Sequence, residues 1–240
     1  LSPAGVQEII DYGLFGYEMS RFSGVWAGLK CIKDTVEVTS VVNGDPHRLN
    51  FITPDFAMPE GGLNIRLADT PQDQEARIIG YKKDAVVAFA RVNRMDRRVL
   101  GKSGARIGFV AAGKNWLDLS HAMQVLGLNE KTAETHGITT YKVAMTWPLD
   151  TKTFAEWAEG LDTIVVVEEK RKIIEAQIKE ALFNDRRGRN VLGAKGSAGH
   201  ILFPDSYALD PMIIAEKIGK ILIEEGCVSE RLTSSMSKIE

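Results

Sequence analysis

The sequence predicts an α/β protein whose main part is an open, doubly wound and mostly parallel β-sheet, and two observations predict it. From Ala105 onwards, short apolar runs alternate with amphipathic helical stretches at the spacing of successive β-α units. The run "DTIVVVE" (162–168) has four uninterrupted apolar residues, which is typical of a parallel strand that helices cover on both faces. We therefore expect residues 104–226 to fold as this sheet.

The N-terminal half predicts less regular structure. A helix is expected over residues 3–20, because Ser2 is placed as its cap and Pro3 stands at the first helical position. The run "VWAGLKCI" (25–32) predicts a buried strand. Prolines and glycines interrupt the stretch from Val42 to Pro71, which predicts a long surface connection, and a further helix is expected over about 74–92.

One helix and one strand within residues 1–50 bury too little apolar surface for a core of their own. We expect them to pack on the second unit or on something missing from this chain. A chain that opens directly on a helix start is expected to be a piece of a longer one, and the alternative is a processed or trimmed chain.

In the second half, each strand and helix has its own signal. Leu119, Met123 and Leu126 predict the core-facing stripe of one helix, and Asp210 followed by Pro211 predicts the start of the last clear helix. A short strand is expected in either "VLGA" or "HILF". The expected strands are 105–113, 139–147 and 162–168, and the expected helices are 115–128, 129–135, 151–161, 170–183 and 211–224.

Composition excludes several classes of function. The 240 residues carry a formal net charge of -2 with no basic tract, which argues against a nucleic-acid or anionic-membrane surface. No apolar run reaches membrane-spanning length. From the charge and from this observation together, neither nucleic acid nor a membrane is an expected partner. Two cysteines, Cys31 and Cys227, are too few for a disulfide framework or an iron–sulfur site. A reducing, cytoplasmic location is expected.

The short motifs identify no catalytic set. "LGKSG" (100–104) is not a phosphate loop, because Asp96 stands where the first glycine is required and the segment precedes its strand. "GAKGSAG" (193–199) predicts a flexible surface loop. No serine lies in a G-x-S-x-G turn. No pair of histidines, or of histidine and cysteine, has metal-ligand spacing, the four histidines being His47, His121, His136 and His200.

Five consecutive charges end the apolar strand: Glu168, Glu169, Lys170, Arg171 and Lys172. They follow the carboxyl end of a parallel strand, which is the edge where ligands or partner domains dock in open α/β sheets. We expect the three cations to occupy the first turn of the next helix, where they oppose the helix dipole. The five residues are candidates for an interface, and the residues by themselves favour the alternative, a solvated cap with local ion pairs.

Several stretches together resemble one family, the thiamine-diphosphate-dependent 2-oxoacid:ferredoxin oxidoreductases, and most closely the large chain of indolepyruvate ferredoxin oxidoreductase. The most specific are "PEGGLNIR" and "VVEEKR", since neither is a generic signal of the fold. The others are "PAGVQEIIDYGLFGYEMSRFSG", "DPHR", "QEARIIGYK" and "RIGFVAAGKNWLDLSHAMQVLGL". They cover most of residues 3–183, whereas the chain beyond Asp185 matches the family less well.

The resemblance implies an enzyme that oxidatively decarboxylates an aryl 2-oxoacid of the indolepyruvate kind. Electrons would pass through iron–sulfur clusters to ferredoxin, and the acyl group would pass to coenzyme A. Thiamine diphosphate, magnesium and iron–sulfur clusters are implied for the parent enzyme and none of them for this chain, because the segments that bind them lie elsewhere in the family. No catalytic, cofactor-binding or metal-binding residue is therefore assigned here.

The resemblance also implies a domain plan. Residues 1–50 would be the end of a pyrimidine-binding α/β domain, 51–103 an interdomain linker with a helix, 104–226 a transketolase C-terminal-like domain, and 227–240 a tail. The charged edge would then face another domain of the parent enzyme or a dimer mate, so that this portion is structural and not catalytic alone. The alternative is a free-standing α/β module for interaction or small-ligand binding, because a fold by itself does not determine function.

Overall fold

The computed structural model of the chain describes residues 1–239, and these residues divide into two compact units. The first unit comprises Leu1–Asp96 and Ala144–Asp150, and the second comprises Arg97–Val143 and Thr151 to the end of the chain. The last residue of the predicted tail, Glu240, lies outside the described residues. The domain plan inferred from the sequence stays a prediction, because compactness alone does not test it.

The first unit is mainly helical. Its elements are α1 (Val6–Ser23), α2 (Lys33–Val36), α3 (Pro71–Arg77), a π-helical turn (Ile78–Lys82) and α4 (Lys83–Val92). The helix predicted over about 74–92 is therefore continuous from Pro71, with a π-turn in its middle. No helix or strand lies between Val36 and Pro71, as the prolines and glycines of that stretch predict.

Residues 1–50 do not form a core by themselves. Tyr12 and Met19 of α1 pack with Val86 and Phe89 of α4, so the helix of the predicted linker completes the core of this unit. The segment 144–150 joins the same core, and the Asp96 carboxylate accepts the backbone N–H groups of its first two residues at 2.7 and 3.0 Å.

The predicted buried strand at 25–32 was wrong. These residues are extended, but they belong to no strand of the structure, and the Trp26 side chain is 96% exposed. Apart from local bonds to Ser20, Thr35 and Val36 at the two ends of the segment, their backbone pairs with a single residue: Leu1 donates to the Gly28 carbonyl and accepts from the Lys30 N–H group. A segment with one paired neighbour and alternating exposure does not reach the two-sided burial that an apolar run suggests.

The second unit contains the predicted parallel sheet. Its strands are β1 (Arg97–Arg98), β2 (Ile107–Ala112), β3 (Ile138–Val143), β4 (Thr163–Val167) and β5 (Asn190–Leu192), in the spatial order β1-β3-β2-β4-β5. All pairs are parallel except β1 with β3, and β1 was not predicted. Every residue of β4 is buried and the strand lies between β2 and β5, which confirms the interior position predicted from its apolar run.

Helices cover both faces of this sheet. They are α5 (Gly113–Val125), α6 (Glu130–His136), α7 (Thr151–Trp157), α8 (Ile173–Leu182), α9 (Pro211–Glu224) and α10 (Glu230–Ile239). The predicted stripe of Leu119, Met123 and Leu126 lies in the core with α9 and α10 on one face. On the other face, Gly108 lies beneath Trp157 and Leu161. No helix of residues 1–239 is both long and apolar enough to cross a membrane.

Two helix boundaries decide the positions of charged residues. Helix α9 begins at Pro211, and the Asp210 side chain accepts the Met212 N–H group at 2.7 Å, as predicted. Helix α8 begins at Ile173, so the prediction that Lys170, Arg171 and Lys172 form its first turn was wrong. Those cations lie in the bend that precedes the helix, outside its first turn.

Helix α10 is an element that the sequence analysis missed, since it lies in the predicted tail. Its Leu232 and Met236 are buried in the core of the second unit. The glycine-rich stretch 193–199 also has more structure than predicted: it turns back on itself, with Lys195 bridged to Ile201 and the Gly196 N–H group donating to the His200 carbonyl.

Candidate functional site

The candidate site lies where the strand order of the sheet reverses. From β2 the chain proceeds to β3 on one side and later to β4 and β5 on the other, so the switch point lies between β2 and β4. Ligands of open α/β sheets bind outside the carboxyl ends of the strands at such a point. The residues that follow β2 begin at Gly113, and those that follow β4 begin at Glu168.

Glu168 uses its carboxylate to cap α8. The backbone N–H groups of Ile173, Ile174 and Glu175 donate to it over 2.9–3.2 Å. A helix N-terminus is a natural anion site, because its N–H groups are free and its dipole favours negative charge. Glu168 fills that position from within the chain. Burial raises the pKa of its carboxyl group, and this effect outweighs the three hydrogen bonds that favour the charged form.

Glu169 connects three segments of the second unit. Its N–H group donates to the side-chain oxygen of Asn115 at 3.0 Å, and its carboxylate accepts the N–H group of Leu209 at 3.0 Å. Asn115 lies in the first turn of α5, and Leu209 lies just before α9. The end of β4 is thereby tied to the two helices that cover one face of the sheet.

Lys114 and Asp118 form an ion pair beside Glu169. The Lys114 ammonium lies 2.7 Å from the Asp118 carboxylate, and the side chains are 18% and 8% exposed. The amide nitrogen of Asn115 lies 3.4 Å from the same carboxylate. Burial raises the pKa of Asp118, and the negative charge of Glu169 raises it further, while Lys114 opposes both effects.

The three cations of the predicted interface differ in their surroundings. The Lys170 ammonium donates to the Tyr207 carbonyl at 2.6 Å and lies 4.0 Å from Glu169. Arg171 and Lys172 are exposed. The structure thus brings Glu169 and Lys170 into one network, places Glu168 on the start of α8, and leaves the last two cations at the surface.

Sequence reasoning missed five members of this network: Lys114, Asn115, Asp118, Tyr207 and Leu209. Lys114 and Asp118 carried a usable signal, since opposite charges four residues apart at the start of a helix pair readily. Leu209 carried none, because it contributes a backbone N–H group to a residue 40 positions away.

The described residues do not fit the metal groups that the family resemblance implies. Among residues 1–239, no three histidine, cysteine or acidic side chains are placed to hold a metal ion. An iron–sulfur cluster takes about four cysteine thiolates, whereas this chain has Cys31, exposed, and Cys227, buried. Magnesium needs carboxylate oxygens that are free to coordinate, whereas the oxygens of Glu168 already accept backbone N–H groups.

Comparison with known proteins gives one sequence match. A family model described as indolepyruvate oxidoreductase domain matches residues 97–240. No curated protein matches the chain.

Among solved structures, the chain is similar to 2-oxoglutarate:ferredoxin oxidoreductase from Magnetococcus marinus, solved with 2-oxoglutarate, coenzyme A and succinyl-CoA bound. The identity is 14% and the TM-score 0.41, over 74% of this chain and 27% of that one. It is also similar to a split-gene transketolase described as an inactive beta4 tetramer, with 15% identity and a TM-score of 0.34, over 60% of this chain and 42% of that one.

The chain therefore spans about a quarter of the length of the first of these structures. The family match covers the whole second unit and also residues 144–150, which belong to the first unit. Since it covers more than half of the 240 residues, the chain belongs to the indolepyruvate oxidoreductase domain family.

Proposed function

We propose that this chain is part of an enzyme that oxidatively decarboxylates aryl 2-oxoacids of the indolepyruvate kind. Ferredoxin accepts the electrons, coenzyme A accepts the acyl group, and the enzyme works in the cytoplasm. Family membership over residues 97–240 supports the proposal. Thiamine diphosphate supplies the chemistry that stabilises a carbanion in such a reaction, and segments outside this chain would hold it together with magnesium and the iron–sulfur clusters.

We assign this chain a packing role within that enzyme, and one observation carries the assignment. At the switch point, the carboxylates of Glu168, Glu169 and Asp118 each accept a hydrogen bond or an ion pair from the second unit itself. A general base must be free to take a proton from a bound substrate. The Glu168 carboxylate caps a helix, the Glu169 carboxylate binds a loop N–H group, and the Asp118 carboxylate pairs with a lysine. All three therefore stabilise the fold.

The exposed cations at the same edge of the sheet are available to bind a partner. Arg171 and Lys172 project beyond the network, next to Lys170, whose side chain is 52% exposed. Cations at the rim of an interface mainly steer association and select partners with complementary charge. The proposed partner is an acidic surface on another domain of the enzyme or on a dimer mate.

The test is a double charge reversal, R171E together with K172E, in the intact enzyme. We expect weaker assembly by sedimentation velocity, with a stronger loss at low salt, and unchanged folding of this chain. The matched control is K131E together with K152E, two exposed lysines on α6 and α7, which makes the same change of charge elsewhere. If the two double variants assembled equally well, Arg171 and Lys172 would be ordinary solvated residues and not part of an interface.

The packing role has its own test in the chain of 240 residues. Titration with thiamine diphosphate and magnesium in a calorimeter is expected to give no binding heat, because among residues 1–239 no three histidine, cysteine or acidic side chains are placed to hold a metal ion. Saturable binding at micromolar concentration would contradict the assignment, whichever way the charge reversals turn out.

A further inference from the structure

The segment between Leu202 and Asp210 crosses the carboxyl edge of the sheet and is held at both ends. Phe203 and Leu209 are buried at 1% exposure in the core of the second unit. The residues from Asp205 to Ala208 between them are exposed, and the Tyr207 side chain is 85% exposed. We name residues 204–209 the strap. Its apolar ends anchor it, and its middle depends on polar contacts.

Three polar contacts hold the strap against the switch point. The Lys170 ammonium donates to the Tyr207 carbonyl at 2.6 Å, and the Glu169 carboxylate accepts the Leu209 N–H group at 3.0 Å. The Lys114 ammonium lies 3.5 Å from the Leu209 carbonyl. All three side chains come from the residues that follow β2 and β4, so the strap is fastened to both sides of the switch point.

The two residues of the shortest contact both have left-handed backbone conformations. Lys170 has a φ of +69° and Tyr207 a φ of +65°, and the only other non-glycine residue with positive φ among residues 1–239 is Arg94. A left-handed conformation is unfavourable for a residue with a side chain, and more so for a bulky one. The Tyr207 ring is too exposed for its packing to impose that conformation. The hydrogen bond from Lys170 is the contact that holds it.

We propose that the strap is a closure with two states, latched by Lys170 and Glu169, which controls access to the Lys114–Asp118 ion pair. In the closed state the Leu209 carbonyl lies 3.5 Å from the Lys114 ammonium, and the Lys114 side chain is 18% exposed. Opening breaks the hydrogen bonds of the latch, which costs free energy. It also relieves the left-handed strain at Lys170 and Tyr207, and this relief offsets part of that cost. In the open state the Lys114 ammonium and the first turn of α5 face solvent at the switch point. This inference does not depend on the proposed activity.

The first test removes the latch with K170M, which keeps an unbranched side chain, one atom shorter, and deletes its charge. Two measurements on the 240-residue chain report opening: hydrogen exchange of the Leu209 amide, and acylation of Lys114 by a water-soluble active ester, read by peptide mass spectrometry. We expect both to rise about tenfold, the scale set by one hydrogen bond to a charged group. K170R keeps a cationic donor and is expected to retain the slow rates of the native chain.

The second test changes the strain and keeps the latch. Y207G preserves the carbonyl that Lys170 binds and relieves the left-handed penalty, because glycine adopts this conformation freely. We expect Leu209 exchange and Lys114 acylation to slow down, in the direction opposite to K170M. The proposal is overturned if K170M leaves both rates unchanged, or if it raises exchange equally throughout the second unit.

Discussion

The carboxylate of Glu168 lies 2.9 and 3.1 Å from the backbone nitrogen of Ile174 through its two oxygens. The side chain that follows β4 therefore caps the next helix across the four residues between them, 169–172. The bond joins a strand to a helix that would otherwise begin with unpaired N–H groups. It also explains why a strand buried on both faces ends in a charge.

Replacement of Glu168 by alanine is expected to lower the free energy of unfolding by about 1–3 kcal/mol, because three N–H groups at the start of α8, two of them part-buried, lose their acceptor. E168Q keeps one acceptor oxygen and is expected to lose less. Urea unfolding followed by circular dichroism measures both. E159A, which removes an exposed glutamate after α7, is the control, and equal stability of E168A and E159A would contradict the capping role.

The raised pKa of Glu168 predicts how the stability of the chain depends on pH. Burial raises this pKa in the folded chain above its ordinary value of 4.5, so between these two values the folded chain binds more protons at this site than the unfolded chain does. Stability from this group then falls as pH rises through that window. We expect the native chain to gain stability relative to E168Q as pH is lowered from 7 towards about 4.5.

The measurement is the difference in free energy of unfolding between the native chain and E168Q at several pH values. Taking the difference removes the contributions of the other carboxylates, some of which have lowered pKa values, such as Glu216 beside Lys220. A difference that stays constant, or that changes in the opposite direction, would show that burial does not raise the pKa of Glu168.

The sequence predicted the elements whose signals are local. Asp210 and Pro211 placed the start of α9 correctly, and the uninterrupted apolar run of β4 predicted its interior position. The start of α8 was misplaced because its cap, Glu168, acts from the preceding strand and not from the position next to the helix. Helix α10 was missed although Leu232 and Met236 are four residues apart and Ser229 bonds the Leu232 N–H group.

The candidate site was predictable only in part, and the reason is the range of its contacts. The position of Glu168 and Glu169 at a strand end followed from the sequence pattern alone. The partners of Glu169 and Lys170 did not, because Leu209 and Tyr207 offer backbone groups that every residue type has. The order of the strands, which places α5 beside these residues, follows from packing of the whole second unit.

Gly108 in β2 provides a sharp test of packing on the second face of the sheet. An added Cβ would lie 2.6 Å from both Trp157 and Leu161 side-chain atoms. G108A is expected to destabilise the chain by about 1–3 kcal/mol, because these large side chains must shift. The matched control is G13A in α1, where an added Cβ meets nothing within 4 Å.

G13A is expected to increase stability by about 0.5–1 kcal/mol, since alanine is favoured over glycine within a helix. Thermal unfolding of the two variants side by side makes the comparison. If G108A were as stable as the native chain, α7 and the residues after it would not pack on β2 as the structure shows.

Asp150 and Arg91 form an ion pair of the first unit with several hydrogen bonds, and they give the last prediction. Arg91 donates to the Asp150 carboxylate through two nitrogens, over 2.5–3.2 Å, and the Asp150 side chain is 2% exposed. The pair joins α4 to the segment 144–150. D150N is expected to cost about 2–4 kcal/mol, because the fork of Arg91 loses its charged partner and an amide nitrogen faces the guanidinium.

The control is E216Q, which breaks an exposed pair with Lys220 on α9, at 31% and 47% exposure, and is expected to cost less than about 1 kcal/mol. A double-mutant cycle of R91M and D150N separates the pair from the other contacts of each residue. We expect a coupling energy several times that of the surface pair. A coupling no larger than the surface value would mean that the segment 144–150 is held in the first unit by its apolar residues and by Asp96 instead.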